Sequence, residues 1–357
     1  MKNTQTQVDA DNPDIVYTGR IDFTNPKSPA FAFPGITIEA CFEGSRISVL
    51  LVDSGSQNYY NVSIDNREVL VIRTEKGTHP FPIAEGLADC THTIRIYKRT
   101  EALCGTTRFI GFLLDDGKTL VPLKGQTERR IEFIGDSITC GYGNMVSTNL
   151  PDFFPFTPQN ENSEIAWGAL TAKELNARFL LTAYSGRGLF RNYDGTETGT
   201  VPELYDTIFP DTPTLATWNP TQYIPDIIII NLGTNDYNSR QTKRDLSKKE
   251  FDAKFSTTYR TFIARLRKLY GIKNKIVCAV GPMLTDICPL HQKSRRRIEQ
   301  TTRALVRELH KTGDSEVYYL QFDPQSAPFG EDWHPSAKTH KKMAKTTVAF
   351  LRQITGW

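Results

Sequence analysis

Two textures of apolar and polar positions divide the chain. From about Asp14 to Pro122, short runs alternate with a period of two: Ile36 to Phe42, Ile47 to Val52, Tyr59 to Ile64, Val69 to Arg73, His92 to Tyr97 and Arg108 to Leu114. Glycine, proline, Asp and Asn punctuate them, and no helical period of useful length intervenes. Alternation gives a strand one face for a core and one for water, and punctuated short strands stack as two sheets. Residues 1–124 are therefore predicted to form an all-β domain, a sandwich of jelly-roll type.

After Lys124-Gly125-Gln126 the apolar runs become unbroken: Ile131 to Ile134, Phe179 to Ala183, Ile227 to Asn231, Ile276 to Val280 and Val317 to Phe322. Unbroken runs of this length fit parallel strands buried on both faces. Between them, Phe251, Phe255, Phe262, Leu266 and Leu269 share one helical face, Ala304, Leu305 and Leu309 mark another helix, and Pro335-Ser336 open a last helix toward Leu351. Residues 125–357 are predicted to form an α/β domain, a flavodoxin-like three-layer α/β/α sandwich.

At 357 residues the chain is long enough for two cores. Its 43 Lys plus Arg stand against 40 Asp plus Glu, and a net charge of +3 is too small to suggest a nucleic-acid or anionic-membrane partner. The densest basic run, Lys293 to Arg297, reads as the solvated face of a helix. No apolar stretch approaches the roughly 20 residues that span a bilayer, so membrane insertion is not expected. The opening MKNTQTQVDADNPDI lacks the apolar core of a signal peptide. The expectation is a cytoplasmic protein, or a secreted or periplasmic one if a leader has been removed ahead of Met1. Cys41, Cys90, Cys104, Cys140, Cys278 and Cys288 show no CxxC spacing, so no zinc site is indicated and buried or free thiols are expected.

Candidate chemistry gathers where the unbroken runs end, the edge at which open α/β sheets place their ligands. Ile131 to Gly143 reads IEFIGDSITCGYG, which delivers Ser137 at the end of the first run. A serine there is also a common helix N-cap, so the weight falls on its partners. Tyr184-Ser185-Gly186-Arg187-Gly188 follows the second run, Asn231-Leu232-Gly233-Thr234-Asn235-Asp236 closes the third, and Glu331-Asp332-Trp333-His334-Pro335-Ser336 precedes the last helix. A serine needs a base to become a nucleophile, and histidine titrates where it can serve near neutrality. The oxyanion formed in acyl transfer needs donors already aimed at it. The N–H of Ser137, the N–H of Gly188 and the amide of Asn235 could supply three. Asp136 and Asp236 are read as braces for their turns.

GDSI, a glycine in the second block, GTND and DWHP, in this order, resemble the four blocks of the SGNH (GDSL-type) hydrolase superfamily. GDSITCGYG, SGRG and DWHPS behind a β-sandwich more narrowly resemble carbohydrate esterase family 2, whose members remove acetyl groups from xylan and mannan. The resemblance implies Ser137 as nucleophile, His334 as general base, and Gly188 and Asn235 as oxyanion donors, with Gly186 the alternative glycine. It implies Glu331 as the residue behind the histidine, acting through its side chain or its main-chain carbonyl, with Asp332 the alternative carboxylate. The implied substrate is an acetylated polysaccharide or oligosaccharide, with no metal or organic cofactor required. Two other functions stay open: an esterase, lipase or thioesterase acting on a different acyl group, and a carbohydrate-binding protein whose hydrolase domain is inactive.

Aromatic residues on the same edge carry two readings each. Trp333 stacks on a sugar ring or plugs its loop; Phe153, Phe154, Phe156, Phe190, Tyr193, Trp218 and Tyr223 line a cleft or pack beneath long loops. His79, His92, His291, His310 and His340 lack the context of His334 and are read as structural or solvent-facing.

Overall fold

The computed structural model describes residues 5–55, 57–125, 127–149, 155–238, 246–287 and 293–357. It divides into two compact units, Met1–Thr127 with Thr207–Trp218, and Glu128–Asp206 with Asn219–Trp357. The sequence change after Lys124 falls close to the first of these boundaries. Nothing in the sequence marks Thr207–Trp218, which lies within the predicted 125–357 domain but packs with the first unit. In the first unit the buried Arg20 guanidinium lies 5.6 Å from the Phe33 ring and 5.4 Å from that of Trp218, with Nη1 donating to Thr207 O at 3.4 Å.

The first unit is a pair of antiparallel sheets. One contains β1 (Gln5–Asp9), β3 (Ala30–Phe31), β5 (Ile47–Asp53), β8 (Gly77–Ala84) and β10 (Thr107–Asp115). The other contains β2 (Val16–Thr18), β4 (Thr37–Gly44), β6 (Tyr59–Ile64), β7 (Arg67–Arg73), β9 (Cys90–Lys98) and β11 (Leu120–Val121). Ile38, Ala40, Phe42, Val49, Leu51, Val62, Ile94, Ile96, Phe109 and Phe112 meet in one core. Every alternating run of the sequence falls in a strand, apart from Ile36, which just precedes β4. β8 carries no such run, because Pro80 and Pro82 interrupt its pattern. It forms at the open end of the strand order β1-β10-β5-β8, where Pro80 pairs with Leu50 and Pro82 with Ser48. Proline is tolerated on an edge strand because its missing N–H faces away from the neighbour.

The second unit holds five parallel strands: β12 (Arg130–Gly135), β13 (Arg178–Ala183), β14 (Ile227–Asn231), β15 (Lys275–Val280) and β16 (Val317–Gln321), in the order β13-β12-β14-β15-β16. This is the flavodoxin-like order, with its switch point between β12 and β14. Two single-turn helices, α3 (Val201–Leu204) and α4 (Thr234–Tyr237), follow β13 and β14, and successive side chains of each strand enter opposite layers. Ile134, Ile228, Ile230, Ile276 and Cys278 pack with Phe255, Phe262 and Leu266 of α5 (Lys248–Tyr270) and Ile298 and Leu305 of α6 (Ser294–Lys311). Ile131, Phe133, Ile229 and Val277 pack with Trp167 and Ala172 of α2 (Trp167–Glu174) and Met343, Val348 and Leu351 of α7 (Ala337–Thr355). Each fully buried isoleucine of β14 contributes roughly 1.5–3 kcal/mol, which favours this strand at the centre of the sheet.

Two expectations about helices are corrected. Leu269 is exposed rather than on the buried face of α5, since the helix ends at Tyr270. The Lys293–Arg297 run is not simply a solvated face. Arg295 is buried, and its guanidinium donates to the Gly281 and Phe322 carbonyls beyond β15 and β16. Carbonyls at the ends of strands need donors, and this buried arginine supplies them. Cys41, Cys90, Cys104, Cys140 and Cys278 are free thiols, while Cys288 and His291 lie outside the described residues. Among the described residues no helix is long and apolar enough to cross a membrane.

Candidate active site

Ser137 owes its place to the turn that ends β12. A Cβ on Gly135 would sit 2.0 Å from Thr139 Oγ1, so only glycine allows the chain to fold back this closely. Asp136 then caps the single-turn helix α1 (Ser137–Cys140), with Oδ1 accepting the Ile138 N–H at 3.0 Å. Asp136 thus braces the turn, as read from the sequence. Ser137 is the first residue of that turn, where an N–H has no partner within the helix.

His334 comes from the loop between β16 and α7. Its Nε2 lies 2.8 Å from Ser137 Oγ, while Nδ1 lies 3.1 Å from Glu331 O and 3.0 Å from Asp332 O. Carbonyl oxygens only accept, so the ring hydrogen belongs on Nδ1 and the Nε2 lone pair faces the serine hydroxyl. Two carbonyls of neighbouring residues reach one nitrogen because Asp332 and Trp333 adopt left-handed backbone, with φ of 46° and 61°. Such a conformation costs about 1–3 kcal/mol for a residue with a side chain, and the surroundings must hold it. Gly330 N–H donates to His334 O at 2.8 Å, Glu331 N–H to Gly143 O at 3.1 Å, and the Gln325 amide to Trp333 O at 2.6 Å.

The Glu331 carboxylate does not reach the imidazole. Its Oε2 accepts the Thr157 N–H at 3.1 Å and its Oε1 the Asn160 amide at 2.6 Å. Of the two readings of Glu331, the side-chain one is therefore corrected: the contact is made by its main-chain oxygen, and that of Asp332 by its main-chain oxygen as well.

Burial pushes the His334 imidazole down to about 4, against the two carbonyls that favour its protonated form. The ring is neutral at pH 7 and able to accept a proton. Protonation on the acid side removes the base, so kcat/KM is expected to hold down to about pH 5 and to fall tenfold per unit below about pH 4. A pH–rate profile on an aryl acetate measures this. An acid limb centred near 6.5 would contradict a buried, neutral base.

The second block departs from expectation. Gly188 N–H donates to Asn192 Oδ1 at 3.0 Å, so Gly188 is not an open oxyanion donor. It is a glycine for steric reasons, since a Cβ there would lie 1.9 Å from Arg191 O. The turn it starts is wound around Asp236, whose carboxylate accepts N–H bonds from Leu189, Phe190 and Arg191 at 2.8, 2.8 and 3.0 Å. Burial raises Asp236 to about 6 although these three donors pull it down. The other glycine of the block, Gly186, has φ of 75° and open space where a Cβ would lie. Asn235 Nδ2 donates to Arg187 O, between the two glycines, at 2.8 Å. Its 3.5 Å separation from Asp136 Oδ2 is too long to hold the second amide hydrogen firmly.

The aromatic candidates separate by burial. Phe190 is 4% exposed and packs edge-on against Phe251 at 4.8 Å, so it is a core residue and not a substrate contact. Trp218 is buried beside Arg20, and Tyr223 is buried with its hydroxyl donating to Arg178 O at 2.9 Å. Trp333 and Tyr193 stay open, 47% and 45% exposed. Phe153 and Phe154 lie outside the described residues. His340, also buried, accepts the Trp167 N–H at its Nδ1 and is structural. Sequence reasoning missed Tyr142, whose ring stacks on that of His334 with centroids 4.0 Å apart and planes at 24°. Its only signal was its place in the GDSITCGYG block.

A serine at a strand-to-helix turn, hydrogen-bonded to a histidine from the loop before the last helix of a flavodoxin-like sheet, defines a GDSL-type hydrolase. Residues 131–347 match the GDSL-like lipase/acylhydrolase family, and residues 17–123 match the carbohydrate esterase 2 N-terminal family. The chain belongs to carbohydrate esterase family 2. It is 36% identical over 355 residues to cellulase/esterase CelE of Acetivibrio thermocellus, covering 98% of this chain and 40% of that protein's length. It is 29% identical to an acetylxylan esterase / glucomannan deacetylase of Cellvibrio japonicus, covering 93% of this chain and 87% of the relative. A solved family two carbohydrate esterase from Clostridium thermocellum, in complex with cellohexaose, superposes with a TM-score of 0.85 at 34% identity, covering 96% of this chain and 99% of the other.

Proposed function

We propose that this chain is a serine esterase that removes O-acetyl groups from plant cell-wall polysaccharides or oligosaccharides, such as xylan and mannan, through an acetyl-enzyme. The observation that carries the reading is the 2.8 Å contact between Ser137 Oγ and the unprotonated Nε2 of His334, in a chain related to named acetylxylan esterases and glucomannan deacetylases.

His334 Nε2 takes the hydroxyl proton as Ser137 Oγ attacks the acetyl carbonyl carbon. The carbonyl π electrons move to oxygen, and that oxyanion is met by the Ser137 N–H, the Asn235 amide and, in place of Gly188, the Gly186 N–H. As the intermediate collapses, the bond to the sugar oxygen breaks and His334 returns its proton to that oxygen. Water then attacks the acetyl-serine with His334 again as base, releasing acetate and restoring Ser137. Trp333 and Tyr193 supply open rings suited to the apolar face of a sugar.

Acetate release from acetylated xylan and acetylated glucomannan, with NMR of the acetyls that remain, tests the reading. Release from at least one polymer is expected, together with a preference for acetyl over longer nitrophenyl esters. Cleavage of butyryl and longer esters with no acetate from either polymer would transfer the chain to another acyl substrate.

A further inference from the structure

Among the described residues no carboxylate meets His334 Nδ1, the contact that orients the histidine in a full triad. On taking the Ser137 proton it becomes a buried imidazolium whose Nδ1 partners are two carbonyl oxygens. The geometry points to Tyr142 as a positioning residue that makes up for the missing carboxylate: its ring covers the face of the imidazole and is held there by a loop that the Glu331 side chain fastens. This inference rests on the esterase reading above.

The stack is close and nearly parallel, with centroids 4.0 Å apart and planes at 24°. A neutral imidazole gains little from such a neighbour. An imidazolium over a tyrosine face gains cation–π attraction, which grows as the pair is shielded from water; here His334 is buried and Tyr142 half-buried. The stack therefore favours the state in which His334 holds the proton over the resting state, and a bias of that kind raises kcat with little change in KM. The same contact limits rotation of the imidazole, keeping Nε2 on Ser137 while Nδ1 stays between its carbonyls.

Tyr142 is itself held from two sides. Gly141, left-handed with φ of 81°, ends α1, and the Tyr142 N–H donates to Ser137 O at 3.1 Å. The Phe156 ring packs against Tyr142 with centroids 4.8 Å apart. Phe156 belongs to the segment that the buried Glu331 carboxylate pins through Thr157 N–H and the Asn160 amide. Glu331 thus acts on His334 twice, directly by its main-chain oxygen and at one remove by its carboxylate, through Phe156 and Tyr142. Among the described residues, the titratable groups placed near the imidazole are Tyr142, Asp332, Glu331 and His340. Asp332 is raised by burial and reaches His334 by its main-chain oxygen, the Glu331 carboxylate turns to Thr157 and Asn160, and His340 is buried on α7.

The test compares Tyr142→Leu, Tyr142→Met, Tyr142→Phe and Glu331→Gln on 4-nitrophenyl acetate, with Ser137→Ala as control. Loss of the aromatic face in the Leu and Met variants is expected to lower kcat about tenfold with KM within about twofold, and to move the acid limb to lower pH. Tyr142→Phe keeps the face and is expected to recover kcat to within about threefold of the parent. Glu331→Gln should cost several-fold, and adding it to Tyr142→Leu should cost almost nothing more, because both losses act through one ring. Leu and Met variants that fold and keep parental kcat and acid limb, beside an inactive Ser137→Ala, would overturn the role of Tyr142. Fully additive losses in the double variant would break the link from Glu331. Turnover that survives Ser137→Ala would instead remove the esterase reading beneath both.

Discussion

Ser137→Ala is expected to lower kcat on an aryl acetate by roughly a million-fold, the scale on which other serine hydrolases lose turnover with their nucleophile. The substitution removes one oxygen atom and little else. The turn survives because it depends on Gly135, the Asp136 cap and Gly141, not on the hydroxyl. His334 keeps both carbonyls on Nδ1 and loses only its Nε2 contact. Thermal unfolding should therefore move by no more than a few degrees while turnover disappears. The residual rate expected is that of water attacking an ester held against the oxyanion donors, about 10³–10⁴ above solution. A loss smaller than about a hundred-fold, in protein freed of contaminating esterases, would mean that Ser137 is not the nucleophile.

Asn235→Ala is expected to cost about 10²–10³ in kcat, the usual consequence of deleting one oxyanion donor. Here the amide does two things. One hydrogen bonds Arg187 O at 2.8 Å and so ties down the turn between Gly186 and Gly188, and the other is only loosely engaged at 3.5 Å from Asp136. The two roles separate in Asn235→Asp. A carboxylate cannot donate to either partner and would repel both the oxyanion and Asp136, so this near-isosteric change should be at least as damaging as alanine. Steady-state kcat and KM for both variants decide the matter. An Asp variant close to the parent would show that Asn235 holds shape without meeting the reacting oxygen.

The parallel sheet was legible because burial on both faces leaves unbroken apolar runs, and the alternating strands of the first unit because burial on one face leaves a period of two. β1 and β8 escaped notice for a common reason. An edge strand needs neither pattern, so Gln5 to Asp9 reads as polar and Gly77 to Ala84 as a proline-rich loop. Within the site, Ser137, Asn235 and His334 stand where strand ends and the last loop were expected to place them. What could not be read was how backbone groups are used. Whether Gly188 N–H is open depends on the rotamer of Asn192. Whether Glu331 turns its carboxylate or its carbonyl to His334 depends on left-handed backbone at Asp332 and Trp333, a conformation uncommon outside glycine and more so for Trp than for Asp. Phe190 and Trp218 carried both readings, cleft lining and packing, because a loop aromatic carries no mark of which way it faces.

The two prolines of β8 bear on how this protein meets copies of itself. Residues at alternate positions of a strand point their N–H groups the same way, so Pro80 and Pro82 remove two successive donors from the outward side of the β1-β10-β5-β8 sheet. An incoming strand would find acceptors there without matching donors. That edge is thereby a poor template for edge-to-edge addition, the route by which exposed strands seed aggregation. Of the two ends of this sheet only the β8 border carries such a guard, since β1 holds no proline.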